Sequence, residues 1–333
     1  MHSRQSRTSR LTRSSRAAAA ALAAVLAVGA AAGCSTSSTP RAAAVTPAGA
    51  GTSAPPTTPA PPKLTPQWPA GGQAALLVDG LGISEANGPV TPVPIASVTK
   101  VMTAYAFLKA QPLAADASGP TYTISAEEAA AYGTRVARFE SLAKVTAGEK
   151  FTQRRALEAL MVVSANNIAH EIARWVDGGD AKFVERMNGI ARELGMKDTT
   201  YTDPSGFDPT TRSTAADQAK LFAAAMKDPA FRQIVATASI KEPGTPEPRP
   251  NGNTLLGKDG VIGGKTGFTT PAGANLVFAA EREIEGVRRL VIAAVINQRP
   301  AEGTTAEGVT PALESARALI TSIGTADAPA PTR

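Results

Sequence analysis

Ser97 and Lys100 stand three residues apart in the stretch "PIASVTKVMTAY", residues 94–105. On a helix that spacing is close to one turn, so the hydroxyl and the amine would lie side by side. A lysine that has lost its proton can take the proton of a serine and make it a nucleophile. The same residues also suit a plain helix start. Ser97 is a good N-cap, and Val98, Met102, Tyr105 and Ala106 recur at helical spacing. A Ser-x-x-Lys pair arises by chance about once in a chain of this composition, and a second one is present, Ser141 with Lys144. The rest of the chain must choose between them.

Other chemistries are poorly supplied. The only histidines are His2 and His170, and the only cysteine is Cys34. A Ser-His-Asp hydrolase would depend on His170, which falls mid-helix, four residues after Asn166. A zinc site of several His or Cys ligands cannot be assembled, and no Gly-rich phosphate loop with its Lys-Ser/Thr appears. No metal and no cofactor are expected. A lysine base is the strongest remaining option for an enzyme. Two signals follow downstream: Ser164-Ala165-Asn166 in "VVSANN", at a helix break, and Lys265-Thr266-Gly267 in "GGKTGF", on a strand edge.

The elements that must position these residues lie in the middle of the 333-residue chain. Arg4, Arg7, Arg10, Arg13 and Arg16 crowd the start, and residues 17–32 are almost all Ala, Val, Leu and Gly. Residues 1–33 read as a secretory signal, with an apolar run too short to span a bilayer comfortably. Those arginines account for most of the formal charge of +6; beyond them 29 basic residues face 28 acidic ones, which gives no nucleic-acid surface. Cys34 has no partner for an internal disulfide. Residues 34–70 are Ser, Thr, Pro, Ala and Gly with little apolar bulk, a disordered tether able to reach roughly 100 Å at ~3.1 Å per residue. A folded domain is expected over 71–323, then a disordered tail over 324–333. "QAALLVD" reads as a buried strand. "SVTKVMTAYAFLKA", "RRALEALMVVSA", "NIAHEIARWV", "DAKFVERMNGIARELG" and "STAADQAKLFAAAMKD" read as helices, the last with a Thr214–Asp217 capping box. "GVIGGKTGF", "ANLVFAAERE" and "GVRRLVIAAVINQ" read as three successive strands, and "TPALESARALITSI" as a closing helix. This order implies a mixed sheet with helices packed on it.

Ser-x-x-Lys, a serine-to-asparagine element and Lys-Thr-Gly, in that order, occur together in β-lactamases and penicillin-binding proteins. The chain resembles the serine D-alanyl-D-alanine carboxypeptidases, the low-molecular-mass penicillin-binding proteins, from about residue 73 to 300. The likeness extends to "GMKDTTYTDPSGFDP" followed by "STAADQAKLF", and to "LLGKDGVIGGKTGFTTPAGANLVFAAER". It implies an α/β mixed, β-lactamase/transpeptidase-like fold, mainly an antiparallel sheet flanked by helices with an all-helical lobe. It also implies roles. Ser97 would attack the carbonyl between two terminal D-alanines, with Lys100 as base and Ser164 relaying the proton to the leaving D-alanine. Asn166 would bind the substrate amide, and Lys265 and Thr266 its terminal carboxylate. The N–H groups of Ser97 and Phe268 would form the oxyanion hole, and Gly267 would leave room for a peptide along the strand. The partners implied are a peptidoglycan stem peptide ending in D-Ala-D-Ala and β-lactams as inhibitors, with no nucleic acid.

Cys34, in "AAAGCSTSS", resembles the lipidation cysteine of bacterial lipoproteins, with Ala31 where leucine is usual. That places the protein outside the cytoplasm, on the outer face of the membrane or in the wall, held by a lipid anchor; plain secretion is the alternative. The chain departs from the family at Ala165 and Asn167, where Gly and Asp are frequent. Three rival functions share the motifs. A class A β-lactamase needs a glutamate with an asparagine four residues on, and Glu185 with Asn188 has the wrong spacing. The others are an endopeptidase of the same chemistry and a non-catalytic module that binds wall peptide.

Overall fold

The computed structural model describes residues 62–300 and 308–326. The chain divides into two units, Met1–Thr58 and Pro59–Arg333. The expected signal peptide, Cys34 and most of the expected tether lie outside the described residues, as do residues 327–333 of the expected tail.

In chain order the elements are β1 (Gln73–Val78), β2 (Ile83–Asn87), β3 (Val93–Pro94), a 3-10 turn (Ala96–Thr99), α1 (Lys100–Ala110), β4 (Thr121–Thr123), α2 (Ala126–Ala137), β5 (Lys150–Thr152), α3 (Gln153–Met161), α4 (Asn166–Asp177) and α5 (Asp180–Glu193). They continue with β6 (Arg212–Ser213), α6 (Ala215–Ala225), α7 (Pro229–Val235), β7 (Ser239–Ile240), β8 (Arg249–Pro250), β9 (Val261–Thr269), β10 (Gly273–Ile284), β11 (Val287–Gln298) and α8 (Thr310–Thr321). Five strands make one antiparallel sheet in the order β2-β1-β11-β10-β9. The expected fold class is the one observed.

The apolar runs of β10 and β11 follow from burial on both faces. Val277, Ala279, Ile292 and Ala294 join the core of the helical lobe. Their neighbours in sequence, Leu276, Phe278, Val291, Ala293 and Val295, pack with Ala312, Ala316, Leu319 and Ile320 of α8. Period-two alternation therefore assigns residues to two cores rather than to core and solvent. Helix α1 is enclosed in the same way: Val101, Met102, Ala104, Ala106, Phe107 and Leu108 are all buried. A helix without a polar face belongs in the middle of its lobe, and α1 carries the site there.

Three expectations need correction. Ser97 is not the cap of α1: it lies inside the 3-10 turn, and the helix starts at Lys100 with no side-chain cap. The capping box of α6 is half formed. Thr214 Oγ1 accepts from Asp217 N at 3.3 Å, but the Asp217 carboxylate serves Asp198 N, the Thr199 hydroxyl and Lys220. The packed chain also exceeds 71–323. Leu64 and Trp68 pack against the α8 side of the sheet, Thr325 bridges to Glu283, and the Arg282 guanidinium donates to the carbonyls of Ile323 and Gly324.

Candidate active site

The turn between β3 and α1 presents Ser97, and the first residue of α1 is Lys100. Lys100 is fully buried. Its Nζ lies 2.8 Å from Ser97 Oγ, 2.6 Å from Asn166 Oδ1 and 2.7 Å from the carbonyl of Ser205. Two of these neighbours can only accept, so each requires an N–H of Lys100. A neutral amine would spend its two N–H groups there, leaving its lone pair for the hydroxyl proton of Ser97. Burial pushes the Lys100 ammonium well below its ordinary pKa, and the charge of Lys265 pushes the same way; Asp203 and Glu140 oppose them.

The other half of the site comes from β9. Lys265 is also buried, and burial brings its pKa down to about 7. Its Nζ donates to Ser164 Oγ at 3.1 Å and to the carbonyl of Thr266 at 2.7 Å. Ser164 sits between α3 and α4 with a φ of +62°, a left-handed conformation costly for serine. β9 is the edge of the sheet, where a strand can accept an added peptide. It also presses against the turn of Ser97. A Cβ on Gly267 would lie 2.9 Å from the backbone nitrogens of Ser97 and Val98, so only glycine fits. Thr266 is nearly buried, and its hydroxyl faces Gly252, where an added Cβ would come within 2.8 Å of it. Phe268 is 47% exposed at the end of this edge.

Asn166 opens α4 and is engaged at both ends of its amide. Oδ1 accepts from Lys100, and Nδ2 donates to Glu140 Oε2 at 2.9 Å. It thus holds the lysine, where the sequence suggested a group facing substrate. Glu140 has a fully buried side chain, gripped by Arg135 at 3.2 Å; Arg135 also binds Glu128. Ser205 owes its position to Gly206, which fits under the 3-10 turn with φ +77°; a Cβ there would strike the carbonyl of Ala96 at 1.9 Å. Glu140 and Ser205 are the residues the sequence analysis missed. Ser205 stood in the quoted "TDPSGFDP", but no local pattern marked Glu140.

The rival residues go elsewhere. Ser141 and Lys144 are exposed, and the Ser141 carbonyl merely accepts from Asn166 N. Asn167, one of the departures from the family pattern, clamps both backbone groups of Ala143 in that loop. His170 pairs with Asp180 at 2.7 Å. Asn188 ties the backbone of Tyr201, so the Glu185 pair supplies no base beside Ser97.

Comparison with known proteins agrees with this geometry. The chain is 40% identical over 160 residues to the D-alanyl-D-alanine carboxypeptidase DacB2 of Mycobacterium tuberculosis, covering 45% of this chain and 52% of that protein. The aligned chain thus spans about half the length of this curated relative. A solved D-alanyl-D-alanine carboxypeptidase from M. tuberculosis H37Rv superposes with a TM-score of 0.64 at 28% identity, covering 78% of this chain and 95% of that one. The Streptomyces K15 DD-transpeptidase superposes with a TM-score of 0.62 at 26% identity, covering 79% and 98%. The family model described as D-alanyl-D-alanine carboxypeptidase, peptidase S11, matches residues 72–299, a span that holds the whole site, and the chain belongs to that family.

Proposed function

We propose that this chain is a serine D-alanyl-D-alanine carboxypeptidase that removes the terminal D-alanine of peptidoglycan stem peptides through an acyl-enzyme and is acylated by β-lactams. The observation that carries the reading is the contact of Ser97 Oγ with a buried Lys100 whose two other contacts are obligate acceptors. Lys100 takes the Ser97 proton as Oγ bonds to the carbonyl carbon, and the N–H groups of Ser97 and Phe268 receive the oxyanion. The C–N bond then breaks, and the proton passes to the leaving amine through Ser164. Lys265 and Thr266 hold the terminal carboxylate, the lysine by a charge-assisted bond. Water hydrolyses the ester and returns Ser97.

Intact-mass measurement with benzylpenicillin, beside Ser97→Ala, tests this. A single adduct on the wild type, slowly released and absent from the variant, is expected, with D-alanine release from a D-Ala-D-Ala peptide. Rapid drug turnover would mean a β-lactamase. Neither adduct nor D-alanine would sink the reading.

The same proposal places the enzyme outside the cytoplasm. Residues 1–33 supply the export signal, Cys34 carries lipid, and the Pro/Thr/Ala stretch after it is a tether. Among the described residues no helix is long and apolar enough to cross a membrane, and an acylated Cys34 with two or more chains meets the threshold for stable attachment.

A further inference from the structure

The backbone from Glu140 to Ala143 has no regular secondary structure, yet three successive carbonyls in it are bonded to distant parts of the chain. Asn166 N donates to the carbonyl of Ser141 at 2.8 Å, and Asn167 Nδ2 to that of Ala143 at 2.8 Å. Both donors belong to the start of α4. The carbonyl between them, that of Leu142, is held from a different element: Arg249 Nη1, in β8, donates to it at 2.7 Å across 107 residues. The same Nη1 donates to Glu242 Oε2 at 2.8 Å, so its two N–H groups serve two acceptors.

The β7–β8 hairpin that carries Arg249 is itself well fixed. Glu242 stands just after β7 with its side chain 8% exposed, and it grips the guanidinium by a charge-assisted bond. Ile240 pairs with Arg249, and Asn251 bonds back to the carbonyls of Ala238 and Thr237. The next residue, Gly252, faces the Thr266 hydroxyl. The hairpin thus reaches both halves of the site: β9 through Gly252, and through Arg249 the loop that supplies Glu140. That loop begins under strain. Phe139 is 95% exposed and has a φ of +58°, a conformation that persists in a bulky residue only where the flanking structure imposes it. On one flank, the Arg135 carbonyl accepts from Glu140 N, and its guanidinium binds the Glu140 carboxylate. On the other, Arg249 holds Leu142.

We infer that Arg249 is a positioning residue for the base: by fixing the Leu142 carbonyl it keeps the Glu140 carboxylate on Asn166, and Asn166 on Lys100. The inference rests on the carboxypeptidase reading. Arg249 touches no reacting atom. The charges that reach Lys100 are Lys265 on β9, Asp203 ahead of β6 and Glu140, itself faced by Arg135 and Arg138. Arg249 is not among them, so a change at Lys100 on its replacement travels through the loop. An arginine that served the hairpin alone would affect stability and leave the base untouched.

The test uses the full-length protein and benzylpenicillin, with acylation of Ser97 followed by intact mass. Removing Arg249 alone would strand the buried Glu242 carboxylate, so Arg249→Gln is combined with Glu242→Gln. The first-order acylation constant is expected to fall about tenfold, the scale of a lost hydrogen bond to a charged group. The dissociation constant of the non-covalent complex should hold, because β9 is unaltered. The acid limb of acylation should move to lower pH, since Glu140 raises the Lys100 pKa and is no longer held in place. In a Glu140→Gln background the same pair of substitutions should cost less than about twofold, because coupled residues are not additive. A lower Tm with an unchanged acylation constant and an unmoved limb would overturn the inference, as would an equal cost in both backgrounds. An adduct formed at one rate by wild type and variant refutes only the positioning role, whereas no adduct on the wild type refutes the peptidase reading and the role with it.

Discussion

Glu140 accepts a hydrogen bond from Asn166 Nδ2, and this contact decides which end of the amide faces Lys100. A carboxylate can only accept, so the NH₂ must turn toward Glu140 and the carbonyl toward the lysine. A flipped amide would aim two N–H donors at an amine whose own N–H groups need acceptors. The chain Arg135–Glu140–Asn166–Lys100 therefore orients the base from a residue outside its own hydrogen-bond contacts.

Glu140→Gln should break this orientation, because a second amide can pair with Asn166 either way round. The second-order rate of penicillin acylation is expected to fall about tenfold or more, the scale of a lost bond to a charged group. The pH profile should move as well. Glu140 raises the pKa of Lys100, so its removal favours the neutral lysine and shifts the acid limb of acylation to lower pH. A lower plateau with an unmoved limb would assign Glu140 to stability alone.

Lys100→Arg keeps the charge but removes the base, since arginine does not deprotonate in this setting. Acylation should drop by roughly 10²–10⁴-fold, the contribution of a general base, while circular dichroism stays that of a folded protein. Near-normal acylation in the variant would take the base role from Lys100.

Lys265 should set the alkaline limit. Its folded pKa of about 7 lies below its ordinary value, so its charge is present below that pH and lost as pH rises through it. For peptides with a free terminal carboxylate, kcat/KM should decline as pH rises through this value. For C-terminal amides the decline should be absent, and Lys265→Met should cost them far less than it costs the acids. Equal losses on both substrates would mean that Lys265 acts through the pKa of Lys100 instead.

Cys34→Ser should release the protein from the membrane fraction and leave its activity on free peptides intact, because the side-chain contacts of Lys100 with Ser97, Asn166 and Ser205 all come from far beyond it in sequence. Fractionation with a lipid label checks this. An unlabelled wild type found only in the medium would replace anchoring by plain secretion.

The nucleophile and base were legible in the sequence because their relation is local: Ser97 and Lys100 are joined by a single turn. The scarcity of histidine removed the common alternatives, and the apolar runs of β10 and β11 marked the late strands. Helix α2 carries a local signal of the same kind, since Ser125 caps it by accepting from Glu128 N. What the tertiary structure decided were contacts between distant parts of the chain. Glu140 meets Asn166 across 26 residues, and the Ser205 carbonyl meets Lys100 across 105. No period or propensity encodes such meetings. They exist because α1 is buried on every side, so each polar atom it carries inward must find a partner from whichever segment packs against it. The same burial separates the two Ser-x-x-Lys pairs. Both have the same spacing, but only Lys100 is enclosed among polar partners, whereas Lys144 is exposed.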